Sequence, residues 1–365
     1  MPEDETKNIY HRAVVVGISQ YPGYDGKDLV CPGQDAVAFR EWLVDPAGGN
    51  VPEENIQMVI VPPAKRKMSK RSAKPTEKAI HEAIKTAYQD AGKVTGAEWN
   101  QSRLYLFLSG HGISLRTEDA SLLAADASDD DPGRHVSSSA IKDFFQKEHY
   151  FREIVVFADC CRDDFVTTTN LNMPTWKYGA EVGDGEPEIF ILCGARFGKQ
   201  AHEERTGPKE ERLSYFTRCL LETLHGDPVA KAASKGHLSD FDVYNQVKGL
   251  YVYLDENARG GDSKLGKVGV TMVNPGIKFG MTGKPRTYLT EITANKATAV
   301  RVRGNGEPID LTPNGKPGVF SARLPKGTYE VELAAKPVGG EKNYRLHPDF
   351  LVVFPGYNER TYELS

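Results

Sequence analysis

The chain has 365 residues, a length that favours one large domain and one small one. Its 46 Lys and Arg residues nearly balance its 50 Asp and Glu residues, which gives a formal net charge of −4 and excludes a nucleic-acid binder held mainly by bulk positive charge. Hydrophobic residues make up 39% of the chain and charged residues 26%, which is ordinary for a globular protein and excludes extensive disorder.

Through the first two thirds of the chain, apolar runs of strand length alternate with segments of helical periodicity. Strands are predicted at residues 13–19, 56–61, 103–108, 153–158 and 188–193. Helices are predicted at residues 35–43, 76–90, 138–147, 213–224 and 239–254, the last with Ser239 as its N-cap. This alternation is typical of crossover units on a mostly parallel sheet and predicts an α/β sandwich.

From about residue 280 the pattern changes to short β-rich runs at residues 297–303, 319–324, 328–333 and 350–354. Turn-forming pairs such as Asn314-Gly315 separate these runs, which predicts a small all-β sandwich. Two loops of the large domain also stand out: a basic one at residues 65–74 and a long polar one at residues 163–187.

The cysteines and the first apolar run indicate the cellular compartment. Five cysteines are too few and too irregularly spaced for a disulfide framework or a paired CxxC zinc site, which favours a reducing compartment. They are Cys31, Cys160, Cys161, Cys193 and Cys219. The run at residues 13–19 has only the length of a strand and follows an acidic segment, so we expect neither a secretory signal nor a membrane span. These features predict a cytoplasmic protein.

Two predicted strands are each followed by residues that can perform chemistry. The strand at 103–108 leads into Ser-Gly-His-Gly at 109–112, and the strand at 153–158 leads into Asp-Cys-Cys-Arg at 159–162. Open α/β sheets place their ligand sites at strand carboxyl ends. A thiol and an imidazole at one such edge can perform covalent acyl transfer, with Cys161 attacking a carbonyl and His111 transferring the proton. The backbone N–H groups of Gly112 and Cys161 are candidates for binding the oxyanion.

Each of these residues also has a structural alternative. Taken alone, Cys161 could be a small buried hydrophobe and His111 a turn residue. Cys160 is a second candidate nucleophile, although alternation along the strand end should point it away from the side of its neighbour. The other three cysteines are interpreted as packing residues.

At these residues the chain resembles the caspase-like cysteine peptidases, and within them the metacaspases and prokaryotic caspase-like (orthocaspase-type) proteases more than the animal caspases. In that superfamily a Ser-Gly-His-Gly turn carries the general acid/base, and an Asp-Xaa-Cys turn carries the nucleophile. His111 matches the first position and Cys161 the second. The two residues lie 50 positions apart, as the family spacing requires. The resemblance covers roughly residues 10–260. It implies a caspase-like α/β/α sandwich with a mostly parallel central sheet at 1–280. The Ig-like β-sandwich at 281–365 is predicted from the β-rich runs alone.

The resemblance also implies an acidic pocket for the residue before the scissile bond. The metacaspase pocket residues match Asp35, Ser109 and Asp159. Animal caspases carry an Arg six residues before the helix Asp, where this chain has Leu29. Because a pocket carboxylate pairs with Arg or Lys, we expect cleavage after basic residues.

Other interpretations of the pocket residues stay open. Asp35 could interact with the positive end of its helix, and Asp159 could cap the turn after its strand. Lys27 and Arg196 could form a basic pocket instead, and such a protease would cleave after Asp.

Charged loops raise the question of a cofactor. Many metacaspases need calcium held by acidic loops, and this chain has acidic loop residues at Asp126, Asp129, Asp130, Asp131, Asp163 and Asp164. Calcium is therefore a candidate cofactor, with a solvated acidic loop as the alternative, and no other cofactor or metal is predicted. The basic loop lacks interleaved aromatic residues, so it is interpreted as solvated, and no specific nucleic-acid partner is expected.

Together these features predict a cytoplasmic cysteine endopeptidase that cleaves protein substrates after Arg or Lys. The resemblance implies a role in bacterial programmed cell death or antiphage defence, for instance activation of a gasdermin-like pore former. We expect the C-terminal domain, which the resemblance does not cover, to recruit a substrate or partner. Lys177 is the only basic residue between positions 163 and 187, so it is the candidate autoprocessing site. The alternatives are a non-catalytic caspase-like scaffold and an adaptor whose activity lies in residues 285–365.

Overall fold

A computed structural model describes most of the chain. The described residues are 7–24, 28–61, 68–91, 96–131, 133–164, 176, 185–204, 208–256, 267–304, 307–334, 344–347, 349, 351–353 and 358–363. The chain divides into two compact units. The first contains Met1–Glu204 and Arg212–Lys284, and the second contains Arg205–Glu211 and Pro285–Ser365.

The first unit contains the helices and the first twelve strands. The helices are α1 (Pro32–Val44), α2 (Glu77–Ala91), α3 (Ser138–Glu148), α4 (Tyr215–His225), α5 (Pro228–Ala233) and α6 (Asp240–Glu256). The strands are β1 (His11–Ile18), β2 (Ile56–Val61), β3 (Arg103–Gly110), β4 (Gly112–Ser114), β5 (Ser121–Leu123), β6 (His135–Ser137), β7 (Glu153–Cys160), β8 (Asp163–Asp164), β9 (Glu188–Cys193), β10 (His237–Ser239), β11 (Gly269–Val273) and β12 (Lys278–Gly280). Within the described ranges, no helix has the length and apolar character needed to cross a membrane.

The central sheet has the strand order β11-β9-β7-β3-β1-β2. Its neighbours are parallel except at the β11 edge, which is antiparallel to β9. Alternate residues of the strands face opposite layers. Leu104 and Leu106 of β3 share a core with α2 and α3, whereas Phe107 stacks on Phe39 of α1 with ring centroids 4.7 Å apart. Helices on both faces keep the inner strands buried, which confirms the predicted α/β/α sandwich with its mostly parallel sheet.

All five predicted strands and all five predicted helices of this unit are present, with ends shifted by at most three residues. Helix α1 begins three residues earlier than predicted because Pro32 occupies its first turn, where a missing N–H costs nothing. Ser239 caps α6 as predicted, with its Oγ accepting the N–H of Asp242 at 3.1 Å. Strands of two or three residues were not predicted, because they are too short to show a period; they form the sheet β6-β5-β4-β8 and the pair β10-β12.

The second unit confirms the predicted β domain. Its strands are β13 (Thr287–Asn295), β14 (Ala299–Arg303), β15 (Ile309–Pro313), β16 (Val319–Pro325), β17 (Gly327–Ala334), β18 (Tyr344–Leu346), β19 (Leu351–Val353) and β20 (Asn358–Glu363). They form one hydrogen-bonded path, β18-β17-β14-β15-β16-β13-β20, with β19 paired to β17. The predicted runs correspond to β14, β16, β17 and β19. Strands β13, β15, β18 and β20 were not predicted, although the buried and exposed residues of β13 alternate as the period of a strand requires.

Candidate active site

The two predicted catalytic residues leave the same edge of the central sheet. Strands β3 and β7 are parallel neighbours, and their register pairs Ser109 with Asp159 and Gly110 with Cys160. His111 and Cys161 are the next residues on each chain. The parallel register therefore places the backbone of His111 beside that of Cys161 at one sheet edge, and that the two side chains act together stays a prediction.

A tyrosine that the sequence did not indicate holds the backbone of His111. The N–H of His111 donates to the hydroxyl oxygen of Tyr21 at 2.8 Å, and that hydroxyl donates to the carbonyl of Leu123 at 3.3 Å. The rings of Tyr21 and His111 lie edge to face, with centroids 4.6 Å apart. Gly110 permits this contact, because a Cβ at that position would lie 2.3 Å from the Tyr21 hydroxyl oxygen. These contacts fix the position of the imidazole.

Cys161 is half-buried, and its thiol donates to the carbonyl of Ala201 at 3.8 Å. Burial raises the pKa of the Cys161 thiol to about 11, and the charges of Asp163 and Asp159 add to the effect. At neutral pH the thiol is therefore protonated in this arrangement. Because only the thiolate is a strong nucleophile, Cys161 needs a base, and His111 is the imidazole at the same edge.

Cys160 points into the core and is fully buried. It packs so closely on Gly112 that a Cβ added to this glycine would lie 2.7 Å from the Cys160 Sγ. The same added atom would lie 2.5 Å from the carbonyl oxygen of Cys161. The two backbone segments proposed for the oxyanion site are thus in contact, whereas the direction of their N–H groups stays a prediction.

Iodoacetamide is expected to modify Cys161 before any other cysteine, because the other four thiols are buried. Since the thiolate is the reactive form and the pKa of Cys161 is about 11, the rate should rise between about pH 7 and about pH 9. The measurement is mass spectrometry of the peptide that holds both neighbouring cysteines, with fragmentation between them. Faster modification of Cys160 would contradict the assignment of Cys161 as the accessible thiol.

Asp35 lies in the first turn of α1 and is completely buried. One carboxylate oxygen accepts the hydroxyl of Ser109 at 2.9 Å, and the other accepts the N–H of Ser214 at 2.9 Å. Burial, followed by the neighbouring charge of Asp159, raises the pKa of Asp35 well above its usual range. The three predicted pocket residues therefore lie close together. Ser109 is hydrogen-bonded to Asp35, and it lies opposite Asp159 in the register of β3 and β7.

Asp159 is buried beside Asp35 and accepts two hydroxyl groups. Its Oδ2 accepts the hydroxyl of Thr217 at 2.5 Å and also that of Ser214. Burial raises the pKa of Asp159 to about 6, against the lowering effect of these hydrogen bonds. Among the described residues, neither Asp159 nor Asp35 has an Arg or Lys within ion-pair distance. Hydrogen-bond donors, and no cation of the described residues, therefore compensate the negative charge of these two carboxyl groups.

Sequence reasoning missed three residues of this pocket. Glu203 accepts the N–H groups of Val30 and Cys31, at 2.8 and 2.6 Å, where the chain enters α1. Ser214 and Thr217 donate to the carboxylates from the start of α4. The pattern Ser-Tyr-Phe-Thr before an apolar helix is a recognisable N-cap, which could have located Ser214 at the helix start but not in the pocket.

The predicted calcium ligands do not form a set. Asp126 and Asp131 each pair with Arg134 at 2.9 Å, and Asp163 accepts the Nε2 of Gln200 at 3.3 Å. In the part of the chain that the structure describes, no group of three or more His, Cys, Asp or Glu side chains could hold a metal ion.

Of the two residues considered for a basic pocket, Arg196 is exposed, and Lys27 lies outside the described residues. Lys177, the candidate autoprocessing site, also lies outside them. The residue before it, Trp176, is described and packs on α2 and α3, with its ring centroid 5.6 Å from that of Tyr88 and 5.1 Å from that of Phe144.

Comparison with known proteins is consistent with this geometry. The chain matches the caspase domain family over residues 10–241. A curated relative from a Desulfuromonadales bacterium, named as a probable protease, is 30% identical over 262 residues, which cover 67% of this chain. The match spans 29% of the length of that relative.

Solved caspase structures are also similar to the chain. Caspase-1 from Spodoptera frugiperda has a TM-score of 0.45 at 12% identity, covering 77% of this chain and 94% of its own. The structure described as pro-sf-caspase-1 has a TM-score of 0.39 at 10% identity, covering 73% and 89%.

Proposed function

Since the chain belongs to the caspase family, we propose that it is a cysteine endopeptidase that cleaves proteins after Arg or Lys. In this proposal Cys161 is the nucleophile and His111 the general acid/base. Asp35, Asp159 and Ser109 bind the side chain of the residue before the scissile bond. The scaffold and adaptor alternatives are less well supported, because both catalytic residue types stand at one sheet edge.

The proposed reaction has two stages. His111 takes the proton of the Cys161 thiol, and the sulfur attacks the peptide carbonyl carbon while the N–H groups of Gly112 and Cys161 bind the oxyanion. The C–N bond then breaks, and His111 gives the proton to the leaving amine, which leaves a thioester on Cys161. In the second stage His111 removes a proton from water while the water oxygen attacks the thioester carbon. The C–S bond then breaks and releases the carboxylic acid, and His111 returns the proton to the Cys161 sulfur.

The observation that carries the proposed specificity is the pair of buried carboxylates, Asp35 and Asp159, without a cationic partner among the described residues. Burying like charges together is costly unless a cation or a proton compensates them. A guanidinium or ammonium group of the substrate would supply that compensation, with the charge-assisted hydrogen bonds that carboxylates form. Exposure of Arg196 argues against the alternative pocket for an acidic residue.

Three otherwise identical fluorogenic peptides, ending in Arg, Lys or Asp before the reporter group, test this specificity. We expect the Arg and Lys peptides to be cleaved with kcat/KM at least about 10³ times that of the Asp peptide, because a third buried carboxylate would be repelled. The Cys161→Ala variant measures background cleavage. Cleavage of the Asp peptide alone would contradict the acidic pocket.

Further parts of the proposal come from the sequence and, for the biological role, from the family resemblance. They are cleavage of the chain itself after Lys177, recruitment of a substrate or partner by the β domain, and activation of a gasdermin-like protein in bacterial cell death or antiphage defence. Calcium dependence receives no support from the described acidic side chains.

A further inference from the structure

Ser214 contacts both pocket carboxylates. Its backbone N–H donates to Asp35 at 2.9 Å, and its hydroxyl donates to Asp159. It is 4% exposed, so water competes little for these bonds. Ser109 and Thr217 each contact one carboxylate of the pair. Ser214 thus donates a hydrogen bond to each of the two carboxylates and couples their positions.

The direction of the Ser214 hydroxyl is set by helix α4. Ser214 is the N-cap of this helix, and its Oγ accepts the N–H of Thr217 at 3.1 Å. Because this acceptor contact orients the oxygen, the single hydroxyl proton is directed at Asp159. The cap therefore makes Ser214 a fixed donor to a carboxylate, and a fixed donor favours the charged form of that carboxylate.

Other charged groups near the pocket do not replace this contribution. Glu203 adds negative charge from the segment that pairs with Ser214, and Cys31 is a buried thiol at the start of α1. Arg218, on α4, forms a buried ion pair with Glu204. Since Arg218 is engaged by a carboxylate of its own, hydrogen-bond donors hold the charges of the two pocket acids.

We propose that Ser214 is a positioning residue for charge selection, whose two hydrogen bonds favour the ionised forms of Asp35 and Asp159 and hold the two carboxyl groups together for the basic side chain of the substrate. This inference rests on the proposed cleavage after Arg or Lys and assigns part of that specificity to a residue of α4. Without Ser214, each acid would lose a hydrogen bond that lowers its pKa, and the pocket would carry less negative charge. The enzyme would then distinguish a cationic side chain poorly from a neutral one of the same shape.

The test compares two peptides that differ only in having Arg or citrulline before the scissile bond, since citrulline keeps the shape and removes the charge. We expect Ser214→Ala to lower the Arg-to-citrulline ratio of kcat/KM about 10-fold to 100-fold, the effect of one hydrogen bond to a charged group. Ser214→Thr, which keeps the hydroxyl, should restore the ratio. Ser214→Gly provides a second removal of the hydroxyl, because Gly is tolerated at an N-cap.

Ser137 offers a matched control. It caps α3, and its hydroxyl donates to another buried acid, Asp119, at 2.6 Å. Ser137→Ala therefore removes a helix cap and a hydrogen bond to a buried carboxylate outside the pocket, and the ratio should stay at the wild-type value. The iodoacetamide reaction of Cys161 reports whether each variant keeps its folded site.

The outcomes separate this inference from the proposed function. If Ser214→Ala and Ser214→Gly lower cleavage of both peptides equally, Ser214 is only a helix cap, and the inference is wrong. An unchanged ratio in either folded variant would overturn it as well. If the wild-type enzyme itself cleaves both peptides equally, the proposed specificity fails, independently of Ser214.

Discussion

Replacing Cys161 by Ala should abolish peptide cleavage, and replacing His111 by Ala should lower kcat by a factor on the order of 10⁴ or more. The first change removes the sulfur that forms the thioester, so no covalent stage remains. The second removes the base for a thiol whose pKa burial has raised to about 11, so almost no thiolate forms at neutral pH. Initial rates with the Arg peptide, measured with each purified variant, check both effects.

Cys160→Ala is the matched control for these variants. Cys160 neighbours the proposed nucleophile but is fully buried in the core, so its loss should reduce stability modestly and leave most of the activity. Thermal unfolding of all three variants separates loss of chemistry from loss of fold. Full activity in Cys161→Ala, together with none in Cys160→Ala, would reverse the assignment.

Replacing Asp159 by Asn should lower kcat/KM for the Arg peptide about 10²-fold to 10³-fold, because the substrate cation then enters a pocket with one charge less. Asp35→Asn should act in the same direction. Cleavage of the citrulline peptide should change far less, since that side chain carries no charge. The ratio of the two peptides in each variant is the measurement.

The wild-type enzyme should show the same effect as pH changes. Because burial raises the pKa of Asp159 to about 6, this carboxyl gains a proton as pH falls through about 6, and KM for the Arg peptide should rise. The folded state also binds this proton more tightly than the unfolded state, whose Asp pKa stays near 3.8. The contribution of Asp159 to stability is therefore present below about pH 4 and is lost as pH rises through about 6.

Asp119→Asn is the control for the pocket variants. Asp119 is also completely buried and accepts hydroxyl groups, from Ser121 and from Ser137, but it lies outside the pocket. Its substitution keeps the backbone carbonyl that Arg162 contacts. An equal loss of Arg cleavage in Asp119→Asn and Asp159→Asn would show that buried carboxylates matter here only for folding.

The arrangement of His111 and Cys161 could be predicted because it follows from strand pairing. Each residue comes directly after a long apolar strand, and two parallel strands bring their carboxyl ends to one edge. The predicted neighbourhood of Asp35 and Ser109 rested on the family resemblance, and their hydrogen bond at 2.9 Å gives it a physical basis. Residues far apart in the sequence could thus be predicted to be neighbours wherever each lies on or directly after a regular helix or strand.

The contacts that complete the site could not be predicted, because they come from irregular segments. Tyr21 lies in a loop after β1 and reaches His111, 90 positions further along the chain. Ser214 reaches Asp35 across 179 positions. The hydrophobic periodicity of the sequence does not predict such contacts, because they depend on how the loops fold over the sheet edge. The short strands β4, β5 and β8, which form part of that edge, carry too few residues for a pattern.

The packing of Trp176 gives the protein a built-in optical probe. The chain contains three tryptophans, of which Trp42 and Trp99 are buried, at 0% and 3% exposure, whereas Trp176 is partly exposed. A neutral quencher such as acrylamide therefore reaches the indole of Trp176 first, and the quenchable part of the fluorescence comes from the polar loop beside Lys177. If the chain is cut after Lys177 as proposed, the contact of Trp176 with Tyr88 and Phe144 should change, and acrylamide quenching would then report the cut in unlabelled protein.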